Sequence, residues 1–192
     1  MTIDAALDPR AARTVAKVRG ALVALLGTGG ASSITHQRVA ERAGVTRATV
    51  YRHWPTTEAL VIEALSQVNE PLLHHGELPF EQWLDVQLHD AAVAMTEPIA
   101  AQTLATLLTG AIGDPSIRAL LDELLARTQD ALVQAAGDID LGDPSELLAT
   151  MLGPIVFRTI IQRLSVDEEF IARAVRAVLD RVEARTGVPD PS

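Results

Sequence analysis

The 192 residues include no cysteine, which excludes a disulfide framework and any zinc site built on thiolates. Aromatic residues are scarce, at 3% of the chain, so a core must be built almost wholly from aliphatic side chains. No run of about twenty apolar residues marks a membrane span, and no basic segment followed by a short apolar one marks a signal peptide. Catalytic signatures are missing too. There is no G-x-S-x-G elbow, no glycine-rich phosphate loop and no H-E-x-x-H zinc helix. The adjacent pair His74-His75 points two ways on a helix and makes a poor metal site. The expectation is a cytoplasmic protein that is no enzyme, needs no cofactor or metal, and does not enter a membrane.

Alanine, leucine and valine dominate what is present, in long stretches of helical period, so an all-α fold is expected. The net charge of −9 argues against a nucleic-acid partner until it is divided along the chain. Residues 1–55 carry eight basic side chains against three acidic ones, a balance of +5, and residues 56–192 carry eight against twenty-two, a balance of −14. A cationic head on an acidic body can turn one end toward phosphates and keep the other away. Solvated helix faces account for the same charges equally well.

The first helix is expected from Arg10 to about Leu26, with Val15, Val18, Leu22, Leu25 and Leu26 on one stripe and Gly27, Gly29 and Gly30 stopping it. Thr35 then stands as an N-cap, with Ile34 and Val39 placed for a hydrophobic staple. A short helix from His36 to Ala43 follows, then Gly44 where the chain turns sharply and Val45 as the plug of the turn. Thr46 can cap a third helix with Val50 and Trp54 inward and Pro55 ending it. Two short helices about a glycine turn, the second crowded with polar groups, form the pattern of a helix-turn-helix that lays its second helix in the DNA major groove.

Within that pattern Arg47 is the candidate for paired hydrogen bonds to guanine O6 and N7. Ala48 lies beside it, and Thr49 suits a thymine methyl or a phosphate. Thr46, Tyr51 and His53 suit phosphate oxygens, and Arg52 suits either task. Thr35, His36 and Gln37, at the start of the preceding helix, lie where a helix N-terminus favours anions. Simple structural roles compete with each: a cap for Thr46, a packing ring for Tyr51, solvated surface for the arginines.

Four further helices follow, one from Thr56 toward Glu70, one over 80–97, one over 99–111, and one opened by Asp114-Pro115. The last two, opened by Asp143-Pro144-Ser145-Glu146 and by Ser165-Val166-Asp167-Glu168, carry more apolar residues than one stripe holds. One reading is a helical hairpin buried inside a monomer. The favoured reading is a four-helix dimer interface using Leu148, Met151, Leu152, Ile155, Val156, Thr159, Ile171, Val175, Val178 and Val182.

The segment I-T-H-Q-R-V-A-E-R-A-G-V-T-R-A-T-V-Y-R-H-W-P-T-T-E-A-L-V-I-E-A-L, Ile34–Leu65, resembles the DNA-binding domain of the TetR family, the tetracycline-repressor-like regulators. The resemblance implies an all-helical protein of about nine helices, three of them in a head at 1–55 and the rest in a ligand-binding and dimerisation domain at 56–186; the tail at 187–192, with Gly187, Pro189 and Pro191, is expected to be disordered. It departs from the family pattern at Ala31 (often aromatic), at Thr57 (often a phosphate-contacting lysine) and at Trp54 (commonly Phe). The function it implies is a ligand-responsive repressor, a homodimer that leaves a palindromic double-stranded DNA operator when an unknown small-molecule effector binds. The alternative is a dimeric interaction or ligand-binding protein that has lost operator reading. Trp83, His89, Met95, Gln102, Thr103 and Thr106 are candidates to line the effector pocket on the central helices.

Overall fold

In the computed structural model, which describes residues 9–68 and 70–186, the regular structure is entirely helical. Nine α-helices are present among the described residues: α1 Pro9–Gly29, α2 His36–Ala43, α3 Arg47–His53, α4 Thr57–Ser66, α5 Phe80–Ala94, α6 Pro98–Gly110, α7 Pro115–Ala136, α8 Pro144–Val156 and α9 Glu168–Thr186. A 3-10 turn follows α1 and a π-turn over Phe157–Ile161 follows α8. The expected tail at 187–192 lies outside the described residues.

The chain divides into two compact units, and the division is not the one expected at residue 55. Among the described residues, one unit joins 9–68 to 98–120, and the other joins 70–97 to 121–186. The reason lies on α1. Its buried side chains Val18, Leu22, Leu25 and Leu26 pack against α2, α4 and also α6, so α6 belongs with the head. Gly27 and Gly29 do not stop α1, which runs on until Gly30 takes a left-handed φ of 60°. A Cβ on Gly27 would collide with Ile99 Cγ1. That glycine permits the close crossing of α6 instead of ending a helix. Caps do what their residue types promise: the hydroxyls of Thr35, Thr46 and Thr56 accept from the amides of Arg38, Thr49 and Ala59.

In the second unit α5, α8 and α9 pack on one another, burying Trp83, Leu84 and Leu88 with Leu147, Leu148, Met151, Leu152, Ile155, Ile171, Val175, Val178 and Val182. Polar groups buried in this unit find partners. Trp83 Nε1 donates to the His74 carbonyl at 2.9 Å, Gln87 Oε1 accepts from the His74 amide at 2.6 Å, and Thr128 Oγ1 accepts from the Leu72 amide at 3.2 Å. These bonds tie the segment before α5 to the helices. The α9 cap is Asp167, whose Oδ1 accepts from the Phe170 amide at 2.8 Å. Ser165, the expected cap, instead offers its carbonyl to Arg158 Nε.

Candidate nucleic-acid interface

The turn between α2 and α3 is set by Gly44 at φ 65° and ψ 39°, a left-handed conformation that suits glycine. Ile34 and Val39 are both buried, as a staple requires, and Val50 is the single buried side chain within α3. The rest of α3 is therefore available to face outward. Arg47, Ala48, Tyr51 and Arg52 are exposed, and Thr49 and His53 are half-buried.

Partners separate the polar side chains further. Thr35 and Thr46 are engaged as caps, and Thr46 Oγ1 also lies 2.9 Å from Thr49 Oγ1. Gln37 Nε2 donates to Glu41 at 3.0 Å and remains exposed. Arg47 and Arg52 form no ion pair among the described residues, whereas Arg19, Arg173, Arg181 and Arg185 all lie against carboxylates. Two unpaired guanidiniums on one short helix, two turns apart at most, are suited to bases and phosphates.

His36 is a correction. The expectation gave its ring to the DNA backbone, but it is buried. Its Nε2 sits 2.7 Å from the Trp54 carbonyl and so must carry the proton and donate it. Its face stacks on Tyr51, with centroids 3.8 Å apart and planes within 5°. The ring is a strut between α2 and α3. Tyr51 takes the packing role weighed for it, laying one face on His36, and stays 45% exposed. His53 Nε2 is buried without a partner, so a phosphate contact through that atom requires the ring to turn. Thr57 opens α4 as an exposed residue without a cationic head group.

Sequence reasoning missed Glu63 and Arg19. Glu63 accepts from Arg19 Nε at 2.7 Å, from Trp54 Nε1 at 3.2 Å and from Gln67 Nε2 at 3.1 Å. Nothing local marks this cluster, because Arg19 and Glu63 are 44 residues apart.

Residues 19–64 match the family model described as bacterial regulatory proteins, tetR family, and residues 80–178 match that of the tetracyclin repressor-like C-terminal domain. The chain belongs to the TetR family. It is thus a helix-turn-helix, DNA-binding transcriptional regulator, of a family of regulators and not of enzymes. Among similar proteins, the HTH-type transcriptional regulator Rv2250c of Mycobacterium tuberculosis (strain ATCC 25618 / H37Rv) is 24% identical over 159 residues, covering 77% of this chain and 80% of that one. A solved TetR-family regulator, SCO0332, is 25% identical with a TM-score of 0.64, over 88% of this chain and 97% of its own. The regulator SCO7518 of Streptomyces coelicolor A3(2) shares the fold at 21% identity and a TM-score of 0.70, over 88% and 98%.

The other expected sites fare differently in this TetR-family chain. Of the ten residues assigned to a dimer face, Leu148, Met151, Leu152, Ile155, Ile171, Val175, Val178 and Val182 are buried within the protomer itself. Only Val156 and Thr159 are partly exposed, and Thr159 Oγ1 donates to the Ile155 carbonyl. The aliphatic stripe face of α8 and α9 is the inward one. Outward lie Gly153, Pro154, Phe157 and Ile161 near the end of α8, and Ala172, Arg173, Arg176 and Ala177 on α9. The six pocket candidates do not converge within one unit. Trp83, His89 and Met95 fall in one, Gln102, Thr103 and Thr106 in the other. The hydroxyls of Thr103 and Thr106 donate to Ile99 and Gln102 carbonyls of their own helix, and His89 Nε2 lies 2.7 Å from Glu168 on the surface.

Proposed function

We propose that the chain is a repressor that binds a pseudo-palindromic operator as a homodimer and leaves it when a small molecule binds. The observation that carries the operator reading is the unpaired pair Arg47 and Arg52 on an exposed α3, beside an exposed Tyr51. Arg47 would read a guanine, while Tyr51, Arg52 and the Gln37 amide would hold phosphates. A two-fold dimer would place its half-sites about one helical turn apart, roughly 34–36 Å, or a multiple of it.

Self-association is supported by an imbalance on α8. The stretch Pro144–Ile161 has a mean hydropathy of 1.2, yet only 28% of it is buried within the protomer. Phe157, Ile161 and Leu164 are 55%, 64% and 51% exposed. By length and composition this stretch also suits a membrane. Pro154 within the helix and the π-turn after it interrupt a regular span, and the neighbouring α9 face bears Glu169, Arg173, Arg176 and Asp180, which lipid tails would not tolerate. A second copy of the same face fits both features. Response to a small molecule is supported by fold likeness to a regulator described as flavonoid-responsive, FrrA, at 20% identity and a TM-score of 0.61 over 91% of this chain and 97% of its own. The effector class is not carried across.

Selection of random duplexes by the full-length protein tests the reading: an inverted repeat is expected. Arg47→Ala should then weaken binding to the selected site by roughly 1–3 kcal/mol and relax base preference at one position in each half-site. Unchanged affinity and preference would rule out Arg47 as the base reader.

A further inference from the structure

The recognition helix α3 has seven residues and one buried side chain, Val50. An apolar stripe that would fix its rotation about its own axis is therefore missing. Its orientation must come from its two ends. Thr46 caps the first. The second end is Trp54, which is buried and held at two atoms: its carbonyl accepts from His36 Nε2 at 2.7 Å, and its indole Nε1 donates to Glu63 Oε2 at 3.2 Å. Glu63 is itself anchored, since Oε1 accepts from Arg19 Nε of α1 and from Gln67 Nε2. Its side chain is only 19% exposed, against 48% for Arg19.

We propose that Glu63 is a positioning residue for base reading: its carboxylate, fixed by Arg19 of α1, holds the Trp54 indole and thereby the rotation of α3 that aims Arg47. The proposal rests on the reading of α3 as the base reader. Arg47 lies seven residues before Trp54, about 10 Å along the helix axis. Bidentate recognition tolerates errors of only about 0.5 Å and 10–20°, so a small rotation at the Trp54 end misdirects the guanidinium. Phosphate contacts through flexible side chains are more forgiving and carry no sequence information. Glu63 therefore governs specificity more than affinity for DNA in general. The tie depends on the indole N–H, which a Phe at this place would lack.

The test uses the full-length protein carrying Glu63→Gln or, separately, Trp54→Phe, which keeps the ring and removes only the donor. Affinities for the selected operator and for a scrambled duplex are measured across a range of salt, with the indole N–H resonances recorded by NMR. The expected result is a fall of about tenfold in the operator-to-scrambled ratio in both variants. Scrambled-duplex affinity should stay within twofold, the salt slope should be unchanged, and the Trp54 indole signal should move in Glu63→Gln. A ratio within twofold of wild type, an equal loss on both duplexes, or an unmoved indole signal would each overturn the proposal. If Glu63→Gln does not fold, Trp54→Phe decides. A wild-type protein with no sequence preference would overturn the reading of α3 itself, and the positioning role with it, an outcome separate from the others because it appears before any variant is made.

Discussion

Replacing Phe157 and Val178 in turn by aspartate separates the outer face of the last two helices from the inner one. Phe157 is 55% exposed in the protomer. Taking roughly 200 Å² for an aromatic side chain, about 110 Å² remains to be covered, worth about 2.8 kcal/mol per protomer at ~25 cal/mol per Å². A two-fold interface counts that twice, about 5.5 kcal/mol, so Phe157→Asp should raise the dimer dissociation constant by about four powers of ten. The protomer should keep its helical content. Val178 is fully buried, and a carboxylate there has no partner to meet. That should cost about 4 kcal/mol or more, against a total stability of about 5–15 kcal/mol. Val178→Asp should therefore unfold the protomer before it reports on assembly. Analytical ultracentrifugation beside circular dichroism reads both. A Phe157→Asp protein that remains dimeric at low micromolar concentration would refute the interface, and a folded monomeric Val178→Asp protein would refute the inward assignment of that face.

Three further outcomes follow from individual contacts. His36→Ala removes the donor to the Trp54 carbonyl and the ring under Tyr51, and should lower stability by about 2 kcal/mol in urea unfolding; a change below about 0.5 kcal/mol would contradict the strut. Gly27→Ala forces a Cβ onto Ile99, and should destabilise by about 1–3 kcal/mol. Most of that loss should be recovered when Ile99→Ala is added, and additive losses would count against the close crossing. The hydrogen bond to Glu168, then that to the Asp85 carbonyl, holds the His89 pKa above its ordinary 6.5. Protonated His89 therefore stabilises the fold below about pH 6.5, and that contribution is lost as pH rises through the elevated folded value. Glu168→Gln should bring the NMR titration of His89 down and flatten this pH dependence; an unaltered titration would show that the contact does not form in solution.

What the sequence made legible was local. The caps at Thr35 and Thr46, the left-handed Gly44 and the staple of Ile34 and Val39 each involve residues within five positions of one another, and each has a stereochemical signature. Gly27 was misread because local propensity was outweighed by a helix crossing that no local pattern encodes. The α8–α9 pair was misread for a different reason. Apolar periodicity reveals that side chains must be covered, not which neighbour covers them, so the protomer's own core and a partner-facing surface carry the same pattern. The packing of α6 on α1 is illegible for the same reason, since the two helices meet across some seventy residues of chain.

The polar residues of the head divide along the same line where it matters for function. As a list, His36, Thr46, Gln37, Arg47, Tyr51 and Arg52 are equally available to DNA. The fold separates them: His36 is consumed by the Trp54 carbonyl, Thr46 by a helix amide and Thr49, while Arg47 and Arg52 have no ion pair among the described residues. A donor hydrogen already bonded inside the protein gains little by meeting a base or phosphate, because one hydrogen bond is exchanged for another, whereas the Gln37 amide keeps a second N–H beside the one given to Glu41. Unpaired guanidiniums gain the most. The proposed readers of this head are thus defined by subtraction, and the side chains subtracted, His36 and Thr46, are engaged at the two ends of α3.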